Sequence, residues 1–235
     1  MSEQALLSLQ NIIVKREENI ILNGASLVVQ PGEFVYLIGR VGSGKSTLLK
    51  SIYADLPISE GEGRFGDFDL KHIKRKQIPF LRRELGIIFQ DFQLLTDRSV
   101  VKNLEFVLRA TGWKDKKLIQ KRISEVLEQV GLESKGYKMP HELSGGEQQR
   151  IVISRALLNK PKMILADEPT GNLDPITGEQ IITLLREIGE AGTSILMSTH
   201  NYALVKKFPD FMPKGVKRSS LRPIRTTTSL SAKSW

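Results

Sequence analysis

Residues 39–46 read Gly39-Arg40-Val41-Gly42-Ser43-Gly44-Lys45-Ser46, with Gly39 and Gly44 separated by four residues and followed by a lysine and a hydroxyl. Such a loop wraps its backbone around a polyphosphate and aims successive N–H groups inward. A helix starting directly behind it adds the positive end of its dipole. Lys45 then reaches the β- and γ-phosphates, the Ser46 hydroxyl is placed to ligate Mg²⁺, and Thr47 continues the phosphate-facing turn. The alternative, a fortuitous turn, is disfavoured because a strand precedes the loop and a helix follows it.

A second chemical run is Met163-Ile164-Leu165-Ala166-Asp167-Glu168, four apolar residues ending in two carboxylates. A buried parallel strand delivers its C-terminal residues to the crevice where α/β proteins bind ligands. Asp167 there would hold Mg²⁺ through water, and Glu168 would act as general base on an attacking water. Alone, the pair reads as a solvated strand end; with the phosphate loop upstream it reads as the loop's acidic partner. A nucleoside triphosphate and Mg²⁺ are the expected ligands.

These runs need a scaffold. Leu6–Val14 and Ile20–Val29 are rich in β-branched residues, and Phe34–Ile38, Leu85–Phe89, Met163–Ala166 and Thr193–Ser198 are short apolar runs of the buried-strand kind. Helical patterns cover 46–53, 147–158 and 178–190. Between Asp91 and about Pro140 the pattern turns wholly helical, over Val100–Ala110 and Lys114–Val130, with Leu118, Ile119, Ile123, Val126, Leu127 and Val130 as the apolar set. The expected fold is α/β: a mostly parallel sheet covered on both sides, an N-terminal antiparallel β subdomain, and a helical subdomain (91–140) inserted in the core. Residues 1–210 form the expected nucleotide-binding domain.

Composition narrows the classes. The chain has 235 residues, 40% hydrophobic and 26% charged, and no cysteine. Disulfide frameworks, thiolate metal sites and cysteine nucleophiles are thereby excluded. The net charge is +9, but Lys214, Lys217, Arg218, Arg222, Arg225 and Lys233 sit in an acid-free tail, 211–235, expected to be disordered. The basic balance therefore describes a tail more than a nucleic-acid surface. No apolar run is long enough for a bilayer span, and Met1–Gln10 lacks a signal-peptide pattern, so a cytoplasmic chain is expected. His72 and His141 read as ordinary surface or structural histidines.

Leu143-Ser144-Gly145-Gly146-Glu147-Gln148-Gln149-Arg150 resembles the signature of ATP-binding-cassette (ABC) ATPases, whose other motifs follow in order over about residues 5–208. Gln90 resembles the Q-loop, Asp174 in Gly171-Asn172-Leu173-Asp174 the D-loop, and His200 after Ser198-Thr199 the switch histidine. The resemblance implies a P-loop NTPase and an ATP-bound homodimer. Each ATP would be sandwiched between Lys45 of one copy and Ser144, Gly145, Gly146 and Glu147 of the other, with Asp174 linking the two sites. It implies catalytic roles for Glu168, His200 and Gln90, and a metal set of Ser46, Gln90 and Asp167.

The stretch Ala166–Asp174, with Pro79–Arg83 and Gly86–Asp91, resembles the branch holding cell-division, lipoprotein-release and macrolide-export ATPases, most of all the cell-division members. That implies a peripheral subunit on the cytoplasmic face of the inner membrane, working with an integral partner of the FtsX-like permease kind. An exporter subunit is the alternative. A soluble nucleic-acid-acting cassette ATPase is less favoured, because the interval from Gln90 to Ser144 is short, without heptads, and one cassette is present. The groove by Phe92, Leu94, Leu95 and Val100 is expected to receive the membrane partner.

Two places depart from the family pattern. Val14-Lys15-Arg16 stands where an aromatic usually stacks on adenine, which predicts an alkyl or cationic contact instead and weak discrimination of ATP from GTP. Phe211–Trp235 does not resemble the family's closing strands, and is expected to be dispensable sequence or a basic tail for anionic lipid.

Overall fold

The computed structural model describes residues 5–17 and 19–208, and the backbone of 221–223. Two sheets carry the molecule. The first is antiparallel, ordered β2-β1-β4-β5, from β1 (Leu7–Arg16), β2 (Asn19–Val29), β4 (Glu60–Phe65) and β5 (Phe68–Asp69). The second is parallel, ordered β6-β7-β8-β3-β9, from β3 (Phe34–Ile38), β6 (Leu85–Ile88), β7 (Met163–Asp167), β8 (Ser194–Thr199) and β9 (Leu221–Pro223).

Side-chain alternation explains why the parallel sheet needs cover on both faces. Phe34, Tyr36, Ile164, Ala166, Ile195 and Met197 enter one core with the helices. Val35, Leu37, Met163, Leu165 and Leu196 enter a second core with the antiparallel sheet and with α1 (Lys45–Ile52). Strands buried on both faces read as continuous apolar runs, which is how β3, β7 and β8 look in the sequence.

Between β6 and α5 (Gly145–Leu157) lie α3 (Val100–Ala110), α4 (Lys116–Gln129) and two short 3₁₀ turns. Asp115 caps α4 by accepting from the N–H groups of Lys117 and Leu118. The inward stripe of α4 is Ile119, Ile123, Val126 and Leu127, continued by Val130. Leu118 does not belong to it. One residue off the stripe is a 100° rotation, and this side chain is exposed. α6 (Pro175–Glu190) and α7 (Tyr202–Lys207) complete the helical cover. The strands β4 and β5 and the helix α2 (Ile78–Arg83) were not legible beforehand: β4 reads Glu-Gly-Glu-Gly-Arg-Phe, without an apolar run.

Of the segment expected to be disordered, Leu221–Pro223 instead pair in parallel with Tyr36–Ile38 of β3. A parallel edge strand needs only backbone groups to bond, so low apolar content does not forbid it. The rest of 211–235, with its basic charges, lies outside the described residues.

Candidate functional site

β3 ends at Ile38 and α1 begins at Lys45, so the phosphate loop spans strand end to helix start at the C-terminal edge of the parallel sheet. Gly42 and Gly44 have φ of 80° and 88°, left-handed values that let consecutive N–H groups face one way. No side chain caps the first turn of α1, which leaves its N–H groups to an anion. A Cβ at Gly39 would lie 2.5 Å from Ser43 Oγ, so the loop closes this tightly only with glycine there. Ser43 Oγ is buried without a hydrogen-bond partner. A buried orphan hydroxyl inside a ring of N–H groups fits a phosphate acceptor. Arg40, Val41 and Ser46 lie exposed around the loop and Thr47 is half-buried.

Lys45 is buried at the centre. Its Nζ donates to the carbonyls of Gly39 (2.9 Å) and Arg40 (3.2 Å) and pairs with Glu168 Oε1 at 3.2 Å. The other carboxylate oxygen of Glu168 meets His200 Nδ1. Lys45, Glu168 and His200, far apart in the chain, thus form one contiguous group. Asp167 ends β7 beside them, and its charge, after burial and Asp55, helps push the Tyr53 hydroxyl up to about 12.

Ser198 ties the two acids together. Its hydroxyl donates to Asp167 Oδ1 at 2.6 Å and accepts from the Glu168 N–H at 3.0 Å. Gln90 follows β6, exposed. Its backbone carbonyl accepts from Asn172 Nδ2 at 3.1 Å, and its amide nitrogen lies 3.6 Å from where a Cβ on Gly171 would stand. Gly171 N–H in turn donates to the Glu168 carbonyl, which connects Gln90 to the acidic pair.

The remaining site residues assemble elsewhere, as two helix caps. Ser144 caps α5: its Oγ accepts from the Glu147 N–H (3.3 Å), and Glu147 Oε2 accepts from the Ser144 N–H (2.8 Å). That second bond, with Lys135 alongside at 3.2 Å, holds the Glu147 carboxyl below its ordinary range. Asp174 caps α6 by accepting from the N–H groups of Ile176 and Thr177, and the Thr177 hydroxyl, with those N–H groups, holds its carboxyl below the ordinary range. The caps abut, for a Cβ on Gly146 would come 2.5 Å from Thr177 Cγ2, and one on Gly145 3.4 Å from Leu173. Among the described residues, no hydrogen bond or ion pair joins either cap to the phosphate loop.

Several expectations need correction. Val14 is wholly buried in the second core and offers no alkyl surface to an adenine ring, whereas the Lys15 ammonium lies at the surface, paired with Glu60 at 2.7 Å. Val100 is fully buried too, and Phe92 and Leu94 pack against the first core, which leaves Leu95 as the exposed apolar side chain of that groove. His72, by contrast, is the ordinary surface histidine expected, paired with Asp69.

Sequence reasoning missed three polar residues. Asn103, buried in α3, accepts from the Leu95 N–H and donates to the carbonyls of Leu95, Arg98 and Ser99. Arg155 of α5 donates to the carbonyls of Phe92 and Gln93, and burial pushes its guanidinium below its ordinary value. Ser198 is the third. The available signal was a polar residue on an apolar stripe: Asn103 beside Val100 and Leu104, Ser198 after Ile195-Leu196-Met197.

Among the described residues no group of three or more acidic or histidine side chains could hold a metal by itself. Mg²⁺ in phosphoryl-transfer sites needs none, since one or two carboxylates, a hydroxyl and substrate phosphates suffice. Ser46, Asp167 and Gln90 supply donors of that chemistry.

The family model described as ABC transporter matches residues 22–171. The chain is 46% identical over 195 residues to the cell division ATP-binding protein FtsE of Streptococcus pneumoniae serotype 2 (strain D39), covering 82% of this chain and 84% of that protein. It is 45% identical over 186 residues to FtsE of Escherichia coli K12, covering 79% and 83%. Among solved structures, the ATP-binding cassette MJ0796, a dimer bound to ADP and Pi in a post-hydrolysis state, superposes with a TM-score of 0.74 at 35% identity, covering 84% of this chain and 89% of that one.

Proposed function

Since the chain belongs to the ABC transporter family of ATP-binding proteins, we propose that it is the ATP-hydrolysing subunit of an ABC-type complex acting in cell division. The observation that carries the reading is the convergence of Lys45, Glu168 and His200 on one edge of the parallel sheet.

In this reading residues 39–47 hold the triphosphate, and the β- and γ-phosphates take over the Lys45 donors that Gly39 and Arg40 accept. Glu168 takes a proton from water as its oxygen attacks the γ-phosphorus and the bond to the β–γ bridging oxygen breaks, giving ADP and phosphate. His200 holds Glu168 on one side and the γ-phosphate on the other. Ser46, Gln90 and Asp167 hold Mg²⁺, which when bound neutralises charge on the phosphates. Val14 being buried, the base is held by contacts weaker than aromatic stacking, and ATP and GTP bind within roughly threefold of each other, a difference under 1 kcal/mol.

A second copy completes the site. The caps at Ser144–Glu147 and Asp174 lie at the surface and make no bond to their own phosphate loop, which leaves their outward side to a second copy. Two reciprocal contacts about a two-fold close into a dimer rather than a filament. Residues 1–210 act as the ATPase unit, with 91–140 as its helical subdomain. No helix among the described residues is long and apolar enough to cross a membrane. The subunit works at the cytoplasmic face of the inner membrane with an FtsX-like integral partner, received at the groove marked by Leu95. Nucleic acid is not part of this reading.

The test is affinity purification of Glu168→Gln with ATP from detergent-solubilised membranes, followed by mass spectrometry. Recovery of an FtsX-like protein is expected. Recovery of lipoprotein-release or efflux permeases in its place would move the chain to the export branch.

A further inference from the structure

We propose that Ser198 is a positioning residue for the hydrolysis step, one hydroxyl that sets both the metal-side and the water-side carboxylate. The proposal rests on the reading of Asp167 and Glu168 given above.

Ser198 is fully buried, directly opposite Asp167 in the register of β7 and β8. A hydroxyl in that place must find partners, because an unbonded polar group in an apolar strand is destabilising. It has one proton to give, and gives it to Asp167 Oδ1 at 2.6 Å, the short distance of a charge-assisted bond. Its lone pair receives the Glu168 N–H at 3.0 Å, alongside the Ser198 carbonyl at 3.2 Å. Glu168 has a φ of 49°, a left-handed conformation that a non-glycine residue keeps only when its surroundings hold it. Methyl in place of hydroxyl would therefore release two things at once. Asp167 loses the bond that fixes its rotamer and leaves its second oxygen for the metal side. Glu168 loses one of the two acceptors that fix its backbone, and with it the placement of the carboxylate between Lys45 and His200.

The structural alternative is that the hydroxyl merely satisfies the core. Divalent-ion binding separates the two. Mn²⁺ affinity for the protein with a non-hydrolysable ATP analogue is measured by electron paramagnetic resonance, and nucleotide affinity is measured separately in EDTA. Ser198→Ala is expected to weaken Mn²⁺ binding roughly tenfold, the effect of one hydrogen bond to a charged group. Nucleotide affinity in EDTA should stay within about twofold, and turnover at saturating Mg²⁺ should fall with KM for ATP unchanged, since phosphate binding does not use Ser198. Ser198→Cys, which fills the space but donates weakly, is the companion variant and should show the same loss with a melting temperature near the parent's. Asp167→Asn is the control. If it weakens Mn²⁺ binding while both Ser198 variants leave it unchanged, the proposal is overturned. Equal losses in EDTA and in Mn²⁺ would likewise overturn it in favour of a purely structural role. If Asp167→Asn itself changes nothing, the metal-side reading of Asp167 falls, and the Ser198 proposal with it.

Discussion

The cluster at the sheet edge and the caps on α5 and α6 are both built from site residues, yet different forces hold them. Lys45 and Glu168 keep 4% and 11% of their side-chain surface and are paired with each other across more than a hundred residues of chain. Ser144, Glu147 and Asp174 are held by N–H groups two or three residues away, on the surface. A buried group depends on every neighbour, because an unpaired partner stays out of water. A capped helix end is locally self-sufficient and keeps its outward side free for another molecule. In the proposed reading, one chain therefore carries a tightly packed phosphate and base site together with a surface for a second copy.

That contrast is most severely tested at Lys45. Replacing it by alanine removes the cation shared by Glu168 and the phosphates, and isothermal titration should show ATP affinity reduced by roughly two orders of magnitude, about 3 kcal/mol. Retained affinity would break the claim that the sheet-edge cluster is the phosphate site. Gly146→Ala probes the other region. Its Cβ, 2.5 Å from Thr177 Cγ2, must push α5 from α6 at about 1–2 kcal/mol. ATP binding by the monomer should survive while hydrolysis at high protein concentration falls at least tenfold.

Ser144→Ala should cost about 1 kcal/mol of stability for the lost cap, roughly 2–4 °C in melting temperature, again with ATP binding unchanged. Loss of binding in the monomer would mean that the caps serve their own phosphate loop, contrary to the two-copy arrangement.

The smallest effect concerns pH. The Glu147 carboxyl is depressed, first by the Ser144 N–H and then by Lys135. Its contribution is therefore fully present above the unfolded value near 4.3 and is lost as pH falls through the lower folded value. Because the group is only partly buried and solvent screens it, the contribution is about 0.5 kcal/mol. The melting-temperature difference between the parent and Glu147→Gln should be visible at neutral pH and shrink in acid; a difference that grows in acid would reverse the sign.

The legible part of the molecule is the part written in contiguous residues. The phosphate loop could be read because its glycines announce positive φ, and the following lysine and hydroxyl announce a ligand. β3, β7 and β8 could be read because strands covered on both faces have nothing polar to interrupt them until Asp167 and Ser198. β4 could not, since a sheet in which one face meets water tolerates Glu60, Glu62 and Arg64 in alternation, and two glycines hide the rest. Leu118 was misassigned for a related reason: a hydrophobic residue next to a helical stripe has the right type and the wrong angle.

The amino-acid sequence by itself determined the fold class, the order of the motifs and the two ends of the nucleotide chemistry, because local backbone geometry and side-chain periodicity are encoded within a few residues of each other. Only the tertiary structure decided that Val14 is withdrawn into the core, that Asn103 pins the turn at Leu95, and that one buried hydroxyl on β8 bonds to Asp167 from 31 residues away. Those outcomes depend on strand register and on which neighbour supplies a missing hydrogen-bond partner. Both arise from residues far apart in sequence: a chain read from one end to the other marks Asn103 and Ser198 as polar residues in apolar runs, but not the partners they meet.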